Sequence, residues 1–229
     1  MAISLDGTSD FYLTTSTPVT ATPFSMAIWG NLNTDAGLHC FSIGDTDGDP
    51  YFSILTVVTN LDVIARARSA AGTGQAVSAG GGITVGVWAH FAAVQTTPTD
   101  REAFRDGANR GANATDRTPA GIDRMGIGCK ADDGPTENEW NGELFWAALW
   151  DSDLTDAQIQ NLGDGYSPLT VQRQNLVFFA RCEYTDPIDM IGFRTLAATG
   201  TPTIASAAPF GVRRVLPRGR GRDRLRLSA

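Results

Sequence analysis

The chain has 229 residues, is 42% hydrophobic and carries a formal net charge of −7. That length accommodates one large domain, or a domain with an appendage. No apolar run is long enough to cross a bilayer, and Met1-Ala-Ile-Ser-Leu5 lacks the features of a secretory leader, so the expectation is a soluble globular protein made in the cytosol.

Taken in order, Ile3 to Leu13 reads as two short strands around a turn at Asp6-Gly7. Phe24-Ser-Met-Ala-Ile-Trp29 alternates Phe24, Met26 and Ile28 on one side, as a half-buried strand does. Phe41-Ser-Ile43 and the run from Tyr51 to Val58 are separated by Asp45-Thr-Asp-Gly-Asp49, which predicts a hairpin with an acidic tip. Leu61 to Ala67 is a further strand, and the Gly/Ala-rich segment 72–82 is expected to be a loop. Gly86 to Val94 is a buried strand, and Glu102 to Arg105 follows it across a polar loop. Asp106-Gly107 then supplies the positive φ angles that a tight turn requires. Ile122 to Cys129 is the next strand, and 131–139 is an acidic loop.

Leu144 to Trp150 is apolar at every position, which suits a strand buried within a sheet. Strict alternation would place Leu144, Trp146 and Trp150 on one face and Phe145, Ala147 and Leu149 on the other. One of those faces should meet solvent in a lone sandwich. The expectation is an interface face formed by Leu144, Trp146 and Trp150, or a face covered by the chain's own C-terminal segment. Thr155 and Gln158 have the spacing of a capping box, with Leu154 and Ile159 placed as a hydrophobic staple, so a short helix ends near Gly163. Many short strands with Gly/Asp turns and almost no helical periodicity predict an all-β antiparallel sandwich.

Five blocks in order are similar to a laminin-G-like domain of the concanavalin A-like jelly-roll superfamily. They are Phe24–Trp29, Val87–Val94, Phe104-Arg-Asp-Gly107, Met125-Gly-Ile-Gly128, and Asn141-Gly142 with Leu154–Ile159. The resemblance covers residues 1–165 and implies two curved antiparallel sheets packed face to face. Family members include carbohydrate- and protein-binding modules, and relatives include glycoside hydrolases and lyases. Beyond Gly165, a β appendage at 166–210 resembles the segment that follows such domains in some phage and bacterial proteins. Residues 211–229 then form an extended arm.

Seven arginines lie in that arm (Arg213, Arg214, Arg218, Arg220, Arg222, Arg224 and Arg226) against Asp223, a charge of +6; removing +6 from −7 leaves −13 for the rest. Leu216, Leu225 and Leu227 add apolar contacts, and an acidic protein surface is the preferred partner. Nucleic acid is less favoured, because the arm has no stacking aromatics, and no membrane contact is expected. These features together predict a virion decoration or fibre-type protein, held by its arm to capsid or tail subunits and to copies of itself, and displaying a surface able to touch cell-surface glycans.

No catalytic residues are assigned. The acids Glu137, Glu139 and Glu143 are the nearest approach to a glycosidase pair, which needs two carboxylates facing one another. His39 and His90 lack a nucleophile at a recognisable spacing. Candidate glycan contacts are Tyr51, Trp140 and Tyr166, because aromatic rings stack on sugars. No cofactor is expected. Asp45, Asp47 and Asp49 are a weak calcium candidate, and Cys40, Cys129 and Cys182 read as buried free thiols.

Overall fold

The computed structural model describes residues 1–46, 49–58, 60–131, 138–206 and 208–209. Two antiparallel sheets pack face to face. The larger runs in the order β10 (Ala108–Asn113), β9 (Asp100–Arg105), β8 (Trp88–Thr97), β3 (Phe24–Leu32), β12 (Asn141–Trp150), β1 (Ala2–Asp6) and β15 (Thr203–Ala205). An eighth strand, β13 (Leu176–Ala180), pairs with the C-terminal half of β12, alongside the half that pairs with β1. The second sheet has the order β14 (Ala197–Thr199), β2 (Phe11–Thr14), β11 (Arg124–Ile127), β4 (His39–Gly44), β5 (Tyr51–Thr56), β6 (Val63–Ser69) and β7 (Gly72–Val77). This is the sandwich expected from the alternation of short apolar runs.

The expected turns form with the expected chemistry. Asp106 and Gly107 have φ of 54° and 71°, closing β9 onto β10. At the β1–β2 turn the Asp6 carboxylate accepts hydrogen bonds from the backbone N–H groups of Thr8, Ser9 and Asp10 at 2.8–2.9 Å. Segment 72–82 differs from expectation, since Gly72–Val77 is β7. Its pairing with β6 uses backbone groups, which a glycine-rich sequence supplies as well as any other.

One buried cluster fills the space between the sheets, with Phe24, Phe41, Phe91, Trp140 and Phe178 among its largest members. A second lies on the outer face of the larger sheet. There α1 (Asp156–Gly163) and the segments on either side of it lay Leu154, Ile159, Leu162 and Val171 over Ala92, Phe104, Ala148, Trp150 and Phe179. The capping box of α1 is complete: the Gln158 N–H donates to Thr155 Oγ1 and the Thr155 N–H to Gln158 Oε1. The helix packs so tightly on the β9–β10 turn that a Cβ on Gly163 would lie 2.4 Å from the Gly107 nitrogen.

This covering corrects the expected interface face. A bulge at Phe145–Trp146, where Trp146 takes φ 53°, breaks the strict alternation of β12. Leu144, Ala147 and Leu149 therefore face the core between the sheets, while Ala148 and Trp150 face outward with the half-buried Trp146. Leu144 and Trp150 are fully buried. The chain's own residues 154–191 cover the outer face, with the Trp150 indole donating to Val171 O at 2.9 Å. Asp189, also fully buried, fastens the covering segment: it accepts from the N–H groups of Phe179 and Ile191 and pairs with Arg194 at 2.8 Å.

Candidate functional site

Three connections meet at one end of the seven-stranded sheet: the β4–β5 hairpin, the β6–β7 turn and the segment entering β11. Antiparallel pairing places Tyr51, Arg68 and Thr73 side by side on the outer face of that sheet. The next row outward-facing along the strands is Ser42, Ser53, Arg66 and Gln75. Alternation gives this face its polar character, because the intervening Phe52, Ile54, Ala65 and Ala67 point into the core.

Arg66 donates to Tyr51 Oη at 3.3 Å and, through Nε and Nη2, to the Gln75 amide oxygen at 2.9 Å when that amide faces it. Arg68 pairs with Asp49 at 3.0 Å. Beyond Arg68, a groove of about 530 Å³ runs between Pro50, the Ser69–Ala71 turn and Arg117-Thr118. Small side chains (Ala70, Ala71, Ala120) give it an open floor, and Ser69, Asp116, Arg117 and Thr118 are its polar residues. Arg117 lies against Gly72 and Gly74, and Arg101 stands beside it behind Gly74. Arg101 is fully buried; its guanidinium donates to Asn113 Oδ1, Thr115 O and Pro98 O. Burial, and then the neighbouring Arg117 charge, lower its proton affinity.

The residues singled out from sequence lie elsewhere or are inaccessible. Trp140 is fully buried and packs edge-on against Phe91 in the core. Tyr51 is 4% exposed, its ring beside His39 and beneath Lys130. Neither ring presents a face for stacking on a sugar, because in a sandwich the large aromatics are the core's main filling. Tyr166 is exposed, following α1. Glu139 bridges to His39 in the seven-stranded sheet, whereas Glu143 lies on β12 of the other and accepts from Asn31 at 2.6 Å. The two do not form a facing pair, and Glu137 lies outside the described residues. Asp49 is engaged by Arg68, and Asp47 lies outside the described residues. Among the described residues no group of three or more His, Cys, Asp or Glu is placed to hold a metal. The arm (Arg213, Arg214, Leu216, Arg218, Arg220, Arg222, Arg224, Leu225, Arg226, Leu227) also lies outside the described residues. All three cysteines are buried thiols that form no disulfide, as expected.

His39 and His90 are framework residues on opposite sheets. Burial pushes both down to about 3; at His39 the nearby positive charges of Arg66 and Lys130 add to it. Among the described residues, His39 Nδ1 and both ring nitrogens of His90 are buried without a hydrogen-bond partner, and the His90 ring packs on Trp29.

Sequence reasoning missed the groove. The available signal was Arg101, which shares an inward-facing register with Ala103 on β9, where arginine is out of place unless held by acceptors.

With this geometry in hand, a laminin G-type family model, described as the concanavalin A-like lectin/glucanases superfamily, matches residues 6–160. The chain belongs to that family. Its lectin-like sandwich is similar to a native heptameric SAP-like pentraxin from Limulus polyphemus, with a TM-score of 0.62 and 15% identity over 86% of this chain and 94% of that one. Domain 4 of an extracellular GH43 arabinanase from Geobacillus stearothermophilus, in complex with arabinotriose, has a TM-score of 0.55 and 16% identity over 71% and 76% of the two chains. The carbohydrate-binding module CBM40 of a Ruminococcus gnavus IT-sialidase, bound to α2,3 sialyllactose, has a TM-score of 0.55 and 12% identity over 70% and 96%. Comparison with curated protein sequences gives no match.

Proposed function

We propose that this family member is a non-enzymatic saccharide-binding protein of a larger assembly, with its ligand in the groove between the β6–β7 turn and Arg117-Thr118. The observation that carries this reading is the groove itself. It is open, about 530 Å³ in volume, floored by small side chains and rimmed by the Ser69 and Thr118 hydroxyls, Arg117 and Asp116. Sugars need such convergent donors on a rigid frame more than they need depth. Two of the similar sandwiches are structures with a saccharide bound, arabinotriose in one and sialyllactose in the other, which supports the class of ligand.

Attachment falls to residues 211–229, whose charge of +6 suits an acidic protein surface. The assembly in this reading is a virion, with capsid or tail subunits as the arm's partners. A glycan array probed with the full chain tests the first half: saccharide binding that is lost in Arg117→Ala supports it, and a blank array refutes it. For the second half, deleting residues 211–229 should release the protein from particles while leaving array binding intact. Equal particle retention by the truncated chain would remove the arm's role.

A further inference from the structure

Arg101 and Arg117 stand together at a groove whose lining holds one acid, Asp116. The nearest-atom geometry at Gly74 places Arg101 Nη1 and Arg117 Cγ on the same small space. Neither guanidinium makes an ion pair among the described residues, in contrast to Arg68, Arg105, Arg110, Arg124, Arg181 and Arg194. The acceptors around Arg101 are neutral, and Arg117 has only the Asp116 carbonyl. The Nε atom of each is buried and has no partner. Asp116 lines the groove with an exposed side chain, and it and Asp100 act on Arg101 through their charge without forming an ion pair among the described residues. Two positive charges thus lie side by side against the single acid Asp116, and a bound anion would offset the excess positive charge.

We propose that the groove takes a saccharide bearing a carboxylate, with the carboxylate on the Arg117 guanidinium and Arg101 as a fixed charge behind it. This rests on the groove being the saccharide site. A carboxylate matches a guanidinium fork in plane and in charge. Arg68 is already neutralised by Asp49, and Arg101 and Arg117 outnumber the groove's one acid, Asp116, which leaves an excess positive charge enough for a single carboxylate. A nucleic acid would call for several exposed cations and stacking aromatics, and the groove is lined by none of the latter. Ser69 and Thr118 are left to hydrogen-bond sugar hydroxyls.

Calorimetry on the full chain tests this with matched probes: trigalacturonate against its methyl ester, and 3′-sialyllactose against lactose. The two pairs separate hexuronates from nonulosonates as the source of the carboxylate. Binding of at least one acid, weakened at least about tenfold by esterification or removal of the acid and by Arg117→Ala, is the expected result. Affinity should also fall as salt rises. Equal binding of acidic and neutral partners would overturn the carboxylate preference and leave the saccharide reading standing. Acid binding indifferent to Arg117→Ala would overturn the site. If none of the four probes binds, the carboxylate proposal falls; a blank array besides would take the saccharide reading with it. Arg117→Lys, which keeps the charge but not the fork, should bind more weakly than the parent and more tightly than Arg117→Ala.

Discussion

Acidification should weaken this fold well before its carboxylates titrate. His39 and His90 are held neutral, with folded values of about 3 against an ordinary value near 6.5. Below pH 6.5 the unfolded chain binds protons that the folded chain refuses, so stability is flat above that pH and falls progressively as pH drops toward 3. At pH 5 each histidine contributes a loss of about 2 kcal/mol, about 4 kcal/mol for the pair, a large part of a typical domain's 5–15 kcal/mol. Asp6, Asp49 and Asp123, whose carboxyls are held below their usual values, add losses only at lower pH. Glu102, pushed up mainly by burial, acts in the opposite direction and softens the decline slightly. Urea unfolding at pH 7.5, 6.5 and 5.0 measures the effect. His90→Gln cannot titrate, so its stability should fall only about half as far as the parent's between pH 7.5 and 5.0, whatever its stability at pH 7.5. Parallel pH profiles for parent and variant, or an NMR titration placing His90 near 6.5, would refute the reasoning.

Three further outcomes follow from the packing. Asp189→Ala strands two buried N–H groups and the Arg194 charge, and should cost about 3 kcal/mol in urea unfolding, with amide exchange of residues 177–194 accelerated first. Trp150→Phe keeps most of the apolar contact but loses the bond to Val171 O, a cost of about 1–2 kcal/mol measurable as a lowered Tm. Gly107→Val places a branched side chain at φ 71° and against Gln160, and should cost at least about 2 kcal/mol by chemical denaturation, with an unaltered glycan-array profile.

How far the sequence foretold this molecule depended on what each residue's partner was. The Thr155–Gln158 cap and the Asp106-Gly107 turn are local, so spacing alone located both. Phe24, Met26 and Ile28 announced β3 by period, because one of its faces meets a continuous apolar core. β7 was hidden because glycine pairs through backbone alone and leaves no side-chain rhythm. The bulge at Trp146 was equally hidden: nothing in an all-apolar run marks where an extra residue will enter, and the slip transfers Leu144 to the inner face. Tyr51 and Trp140 showed the limit of residue type, since an aromatic ring suits a core as well as a sugar. The groove needs Arg101, Arg117 and Ser69, which only the closure of three connections brings together.

The last described strands close the structure on its first: β15 lies beside β1 in one sheet and β14 beside β2 in the other. A ribosome that has delivered the family-matched stretch to residue 160 has therefore made a sandwich with open margins and a bare Trp150. β1 and β2 keep one side unpaired until some forty-five more residues have emerged, roughly the span to Ala205, when the short strands β15 and β14 take over as the edges. Synthesis order thus leaves the two N-terminal strands without their outer partners until residues 197–205 have been made.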